Sequence, residues 1–176
     1  VVDALTHVGI PAFGPTRAAA RLESSKSFAK EVMNRAGVPT PAAWTFADAA
    51  GAESHIRSHP GPYVVKADGL AGGKGVLVTG DRDDAIAWVH RCLSNELGGT
   101  NPRVVIEEYA AGPELSVFAI CDGTNSLLLE PARDYKRIGD GDTGPNTGGM
   151  GSYSPVDLPG DLLDRVDRTI IRPVLE

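Results

Sequence analysis

The residues of this 176-residue chain best suited to chemistry on an anion are two lysines set around a run of glycines. Residues 62–78 read PYVVKADGLAGGKGVLV, so Lys66 closes an apolar run, Gly69, Gly72, Gly73 and Gly75 surround Lys74, and a second apolar run follows. Glycine has no Cβ, so such a loop can bring backbone N–H groups close to a guest, and the lysines add positive charge. Phosphate is the guest that this chemistry suits. The loop is not a P-loop, because its glycine spacing differs and Gly75 stands where a Ser or Thr would be needed. It leads into a second strand and not a helix, so the dinucleotide-binding fingerprint fails too.

Other charged residues join this stretch. Lys26 falls in the first turn of an expected helix, where a cation opposes the helix dipole and is therefore better explained by a task elsewhere. Glu107 and Glu108 end an apolar strand before an expected hinge, and a carboxylate accepting two hydrogen bonds side by side suits ribose hydroxyls or a ligand amine. Residues 134–155, DYKRIGDGDTGPNTGGMGSYSP, carry both charges and are too rich in glycine for regular structure. They predict a long functional loop in which Asn146, Thr147, Gly148 and Gly149 cradle a polar substrate. A calcium loop is excluded, since Asp140 and Asp142 are followed by neither the required glycine nor the closing glutamate. His55 and His59 stand four apart on an expected helix, but no third metal ligand accompanies them and a solvated outer face accounts for both.

The elements that must position these groups follow from periodicity. Helical spacing over residues 1–7 ends at Gly9 before a short strand at 10–13 and a turn at Gly14, and a short helix spans 18–22. Ser24 or Ser25 caps the next helix, with Phe28, Ala29, Val32, Met33 and Ala36 on its buried face and Gly37 at its end. A strand at 44–46, a helix over 48–59, the strand–loop–strand around Lys66, a helix capped by Asp81 and a strand over 103–109 come next. That last helix turns Ala85, Trp88, Val89, Cys92 and Leu93 inward. Side-chain alternation places Val64, Lys66 and Asp68 on one face of their strand, and Val104 with Ile106 on one face of theirs. Residues 110–113 form a turn, and residues 114–120 alternate as a further strand.

Composition narrows the class of function. At 41% hydrophobic residues the chain can bury a core of about one domain. A net charge of −6 argues against general nucleic-acid binding and for small-molecule partners. Two cysteines, Cys92 and Cys121, are too few for a disulfide framework or a zinc site and point to reduced thiols in the cytoplasm. No apolar run approaches a membrane span, and no signal peptide is evident. The start at Val1 and the stop at Glu176 both fall inside helical patterns, which reads as a fragment or the ordered part of a longer chain.

Taken together, GPT at 14–16, Ser25-Lys26, VKADGLAGGKG at 65–75, Ile106-Glu107-Glu108 and DTGPNTGGMG at 142–151 resemble the phosphoribosylamine–glycine ligase family of the ATP-grasp superfamily. The resemblance implies an α+β ATP-grasp fold over 23–176, incomplete at its C-terminal end, preceded at 1–22 by the tail of an α/β domain. Within it, 42–108 would be a small lid subdomain and 109–176 the start of a large one. It implies that ATP phosphorylates glycine and that 5-phosphoribosylamine then captures the acyl phosphate, in purine biosynthesis. Lys26, Lys66 and the loop of Gly69, Gly72, Gly73, Lys74 and Gly75 would hold the ATP phosphates. Glu107 and the backbone near Tyr109 would meet the adenine, and Glu114 the ribose, with Glu108 also on the nucleotide side. Asp134, Lys136, Asp142, Asn146, Thr147, Gly148, Gly149 and Met150 would line the substrate side, with Lys66, Asp142 and Asn146 closest to the chemistry.

The resemblance also implies magnesium or manganese, with the family's metal ligands falling beyond residue 176, so that this stretch alone has little or no ligase activity. The chain departs from the family at Arg133 and Tyr135, where Gln and His are usual. Two other readings remain: a different ATP-grasp carboxylate–amine ligase, and a nucleotide-binding module without catalysis.

Overall fold

The computed structural model describes residues 1–94, 96–97, 102–141 and 143–176, with the backbone alone at 145 and 146. In chain order the helices and strands are α1 (Val2–His7), α2 (Arg21–Ser24), α3 (Lys26–Arg35), β1 (Ala43–Phe46), α4 (Ala49–Ser58), β2 (Tyr63–Ala67), β3 (Val76–Thr79) and α5 (Arg82–Leu93). There follow β4 (Val104–Glu108), β5 (Ala119–Cys121), β6 (Ser126–Leu128), β7 (Arg133–Gly139), β8 (Thr143–Tyr153) and α6 (Leu162–Val166). A π-helical turn, Asp167–Ile171, leads to α7 (Arg172–Leu175).

The core lies on one face of a four-stranded antiparallel sheet ordered β1-β4-β2-β3. Alternation sends Tyr63, Val65 and Ala67 of β2 and Val104 and Ile106 of β4 to that face, where they meet Ala52 and Ile56 of α4 and Ala85, Val89 and Cys92 of α5. Trp88 and Leu93 pack at the margin of this cluster. Both helices start where a carboxylate accepts from free backbone N–H groups: Asp48 from Gly51 at 2.8 Å, and Asp81 from Asp83 at 2.8 Å and Asp84 at 3.0 Å. The opposite face of the sheet carries Val64, Lys66, Val105 and Glu107. In the register that pairs Val64 with Glu107 and Lys66 with Val105, the last two charged side chains are diagonal neighbours.

Helix α3 follows Ser25, whose hydroxyl accepts from Phe28 N at 3.2 Å. It ends at Gly37, whose φ of +67° lets the Val38 amide donate back to Met33 O at 2.9 Å. Its most buried residues are Ser27 and Lys30, at 8% and 9% exposure, while Phe28, Ala29, Val32, Met33 and Ala36 are only half buried. The apolar face predicted for this helix is therefore not its innermost one, because α3 turns polar groups toward the charged face of the sheet.

Three further expectations change. Residues 10–13 pair with no other strand among the described residues, and Ile10 and Phe13 are exposed. The helix expected over 18–22 is a turn leading into α2. The strand expected over 114–120 reduces to a single bridge from Ser116 to Ala132 and the short β5, which pairs with β6. The largest change concerns 134–155, which is the β7–β8 hairpin and not an irregular loop. Its glycines shape bulges: Tyr135 pairs with Gly151 and Arg137 with Asn146, so the four residues 147–150 oppose Lys136 alone. At the C-terminal end, Asp167 accepts from Ser126 Oγ at 2.9 Å and Arg172 Nε at 2.6 Å, tying the last helical run to β6.

Replacing Ile56 by Ala removes a fully buried side chain from the α4–sheet interface and lowers stability by about 2–5 kcal/mol, whereas Asp81→Ala removes only a helix cap and costs about 1 kcal/mol. Urea unfolding of both variants measures this order.

Candidate functional site

A cavity of about 440 Å³ opens between α3, the charged face of the sheet and the glycine loop, walled by Lys26, Lys30, Lys66, Glu107 and residues 69–73 and 75. Lys66 Nζ donates to Glu107 Oε2 at 2.7 Å, and Lys30 Nζ stands 3.4 Å from Glu107 Oε1. Glu107 is 9% exposed, so its charge is held by two cations and not by bulk water. Lys30 also donates to Thr40 Oγ1 at 2.6 Å and to Pro41 O at 2.9 Å.

The start of α3 is clasped onto the end of β2. Lys26 Nζ donates to Ala67 O at 2.9 Å and Gly69 O at 2.7 Å, on either side of Asp68. In return the Asp68 carboxylate accepts from Ser27 N at 3.2 Å, from Ser25 Oγ at 3.3 Å and from the Ser27 hydroxyl. A carboxylate at the helix N-terminus offsets the unfavourable placement of Lys26 in the first turn. Burial lowers the pKa of both Lys26 and Lys30, with Asp68 and Glu107 respectively opposing the shift and the nearby Lys66 cation adding to it. The loop itself needs its glycines: a Cβ on Gly75 would stand 2.6 Å from that of Ala71.

A second cavity, of about 250 Å³, lies between the turn after β4 and strand β7, lined by Tyr109, Glu114, Asp134 and Lys136 among others. Lys136 pairs with Asp134, which raises the lysine pKa, and Glu114 acts in the same direction. The bulge opposite Lys136 is pinned by Thr147, whose hydroxyl donates to Lys136 O at 2.9 Å and accepts from Gly149 N at 3.1 Å. Gly149 has φ +132°, and a Cβ there would lie 3.1 Å from Asp134 Oδ1, so only glycine brings the bulge this close to the carboxylate. Met150 is exposed on the same bulge. The glycine loop reaches this hairpin at its tip: a Cβ on Gly73 would be 4.0 Å from Gly148 Cα.

The expected site residues thus fall into two groups. Lys26, Lys66, Gly69, Gly72, Gly73, Gly75 and Glu107 share the first cavity, whereas Tyr109, Glu114, Asp134 and Lys136 share the second. Lys74 and Glu108 line neither and are exposed. Asp142 and the side chain of Asn146 lie outside the described residues. Lys30, Ser27 and Asp68 were not anticipated, although Lys30 stands four residues after Lys26 and so shares its helix face. Arg133 also enters, with its Nε buried and without a hydrogen-bond partner among the described residues. No group of three or more His, Cys, Asp or Glu side chains is placed to hold a metal ion among the described residues, and no helix there is long and apolar enough to cross a membrane.

Residues 24–176 match the family model described as the phosphoribosylglycinamide synthetase ATP-grasp (A) domain. The chain is 50% identical over 178 aligned positions to a phosphoribosylamine–glycine ligase of Streptococcus pneumoniae, covering 100% of this chain and 42% of that protein. Among solved structures it superposes with TM-score 0.84 and 41% identity on the phosphoribosylamine–glycine ligase of Thermotoga maritima, covering 93% of this chain and 42% of the other. It also superposes with TM-score 0.66 and 21% identity on a D-alanine–D-alanine ligase of Bacillus anthracis, over 98% of this chain and 54% of the other, which is a likeness of fold alone. The chain therefore spans 42% of the length of the curated relative described here.

An anion entering the first cavity raises the lowered pKa values of Lys26 and Lys30, so its complex holds more protons than the free chain. Calorimetry with inorganic triphosphate in buffers of different ionisation enthalpy is expected to show proton uptake that grows as pH rises toward the free lysines' lowered pKa values, and affinity that falls as pH rises through them.

Proposed function

The chain belongs to the phosphoribosylglycinamide synthetase ATP-grasp family, and on that premise we propose that it carries the nucleotide site and part of the substrate site of an ATP-dependent ligase. The ligase joins glycine to 5-phosphoribosylamine in purine biosynthesis. ATP transfers its terminal phosphoryl group to the glycine carboxylate, releasing ADP and leaving glycyl phosphate. The amine of 5-phosphoribosylamine attacks that carbonyl carbon, phosphate leaves, and glycinamide ribonucleotide forms. A carboxylate oxygen is a poor leaving group until it is phosphorylated, so the phosphoryl step is what makes the amide bond accessible.

The observation that carries this proposal is the count of unspent donors in the first cavity. Among the described residues Lys66 Nζ has one acceptor and Lys26 Nζ has two, which leaves two N–H groups on the first and one on the second. Fixed donors of this kind neutralise charge on a transferring phosphoryl group without reorganising during the step. The glycine loop closes over the same space, with its backbone amides as further donors. We assign the adenine to Glu107 and the backbone at Tyr109, and the ribose to Glu114, with Glu108 also on the nucleotide side. Since both oxygens of Glu107 already face lysines, that residue serves the base through its remaining lone pairs.

On the acceptor side, Asp134, Lys136, Thr147, Gly148, Gly149 and Met150 belong to the bulged hairpin, and we assign Asp142 and Asn146 to it as well. Residues 42–108 act as the lid subdomain and 109–176 as the start of the large one, with 1–22 belonging to a preceding domain. Magnesium or manganese enters as the ion that accompanies the nucleotide phosphates and offsets their charge. We place the protein in the cytoplasm, in keeping with two free thiols, of which burial pushes Cys92 up to about 11.

The test is ADP release by the natural full-length chain supplied with ATP, magnesium, glycine and 5-phosphoribosylamine. Release is expected to require both acceptor substrates, and Lys66→Met is expected to lower kcat/KM about 100-fold. ATP binding without glycine-dependent release identifies a nucleotide-binding module instead, and release with another acid identifies a different ligase of the same fold.

A further inference from the structure

Lys30 is the most buried lysine of the first cavity, and both of its hydrogen bonds go to residues outside the cavity lining. Its ammonium has three partners: it donates to the acceptors Thr40 Oγ1 at 2.6 Å and Pro41 O at 2.9 Å, and it forms an ion pair with Glu107 Oε1 at 3.4 Å. Two of these partners belong to the connector that leads from α3 into β1. The third is the oxygen of Glu107 that Lys66 does not use. Both hydrogen bonds of Lys30 therefore go to the connector, and its charge is spent on Glu107. A carboxylate with one partner can swing about its Cγ–Cδ bond, whereas one gripped at both oxygens by cations on different elements cannot. Lys66 projects from the middle strand pair on a flexible four-carbon stem, so the orientation of its ammonium depends on where Glu107 Oε2 is held.

We propose that Lys30 is a positioning residue for the nucleotide site: by gripping Glu107 Oε1 it fixes Oε2, and Oε2 aims the two free N–H groups of Lys66 at the phosphates. The inference rests on the functional reading above but concerns a residue that touches no substrate. It differs from a direct contact in a measurable way, because a residue acting only through Glu107 has nothing to act on once Glu107 has lost its charge.

The experiment is MgATP affinity by calorimetry on the natural full-length chain, with thermal unfolding measured in parallel, for Lys30→Met, Glu107→Gln, the double variant and Lys30→Arg. Lys30→Met is expected to weaken MgATP about tenfold in the native background and less than about twofold when Glu107 is already Gln. Lys30→Arg, which keeps a cation beside Oε1, is expected to recover most of the loss. An equal tenfold loss in both backgrounds would mean that Lys30 contacts the nucleotide itself, and overturns the proposal. Unchanged affinity with a lowered unfolding temperature would mean that Lys30 only holds the connector, and overturns it too. Should Lys30→Met fail to fold, Thr40→Val removes the shorter of the two hydrogen bonds and runs the same cycle with an expected loss of about threefold. Native protein that binds MgATP but releases no ADP with glycine defeats the functional reading and leaves this inference to be judged by the variants. Native protein that ignores MgATP defeats both.

Discussion

A carboxylate shut away from water with a lysine on each oxygen is the constraint to which the rest of this structure answers. Glu107 stands one residue before the end of an interior strand at 9% exposure, and an ionised carboxylate cannot sit there unpaired. Its partners come from two different elements, Lys66 from the neighbouring strand and Lys30 from a helix far back in the chain. The requirement to neutralise one charge therefore fixes helix α3 on the open face of the sheet, while the hydrophobic core fixes α4 and α5 on the other. One face of a four-stranded sheet is bound by apolar contact and the other by ion pairs. The second arrangement is the one that can form a site, because it leaves donors pointing into a space and not into a partner.

The same economy of donors runs through the clasp at the start of α3. Lys26 gives two N–H groups to the carbonyls flanking Asp68, and Asp68 receives the serines and the amide at the helix start. The two contacts hold each other in place: the helix cannot shift without breaking the root of the glycine loop. A loop with positive-φ glycines at 69, 72 and 73 is thereby anchored at its base. The lowered pKa values of Lys26 and Lys30 report the cost of gathering cations in a partly buried space, a cost that a bound polyanion relieves.

The β7–β8 hairpin solves a different problem. Regular pairing would have carried residues 147–150 past Lys136 as part of a flat ribbon. The bulge instead takes a stretch of backbone out of the ribbon, and its glycines allow the chain to come within contact of Asp134 and of the loop tip at Gly73. High glycine content here marks close approach of backbone to other groups, and regular structure survives around it.

The local pattern along the chain was enough to determine the alternation of strands and helices from β1 to β4, the cap at Asp81 and a serine cap at 24 or 25, the sorting of side chains onto two faces of β2 and β4, the inward face of α5, and the chemistry of Lys66 beside a glycine loop. Each of these depends on near neighbours: capping on three residues, strand faces on a period of two, helix faces on a period of 3.6. It also carried the family, because DTGPNTGGMG and VKADGLAGGKG are contiguous. What it could not determine was which face of α3 is buried, why Asp68 matters, or that Lys30 belongs to the site. Those depend on partners about forty residues away or more, such as Ser27 with Asp68 and Lys30 with Glu107, and no local period encodes a long-range ion pair. The hairpin at 133–153 was missed for a related reason: glycine propensity argues locally against strands, and only the pairing of β7 with β8 supplies the hydrogen bonds that override it. The tertiary fold decided where charge had to be neutralised, and thereby which lysines were left with donors to offer.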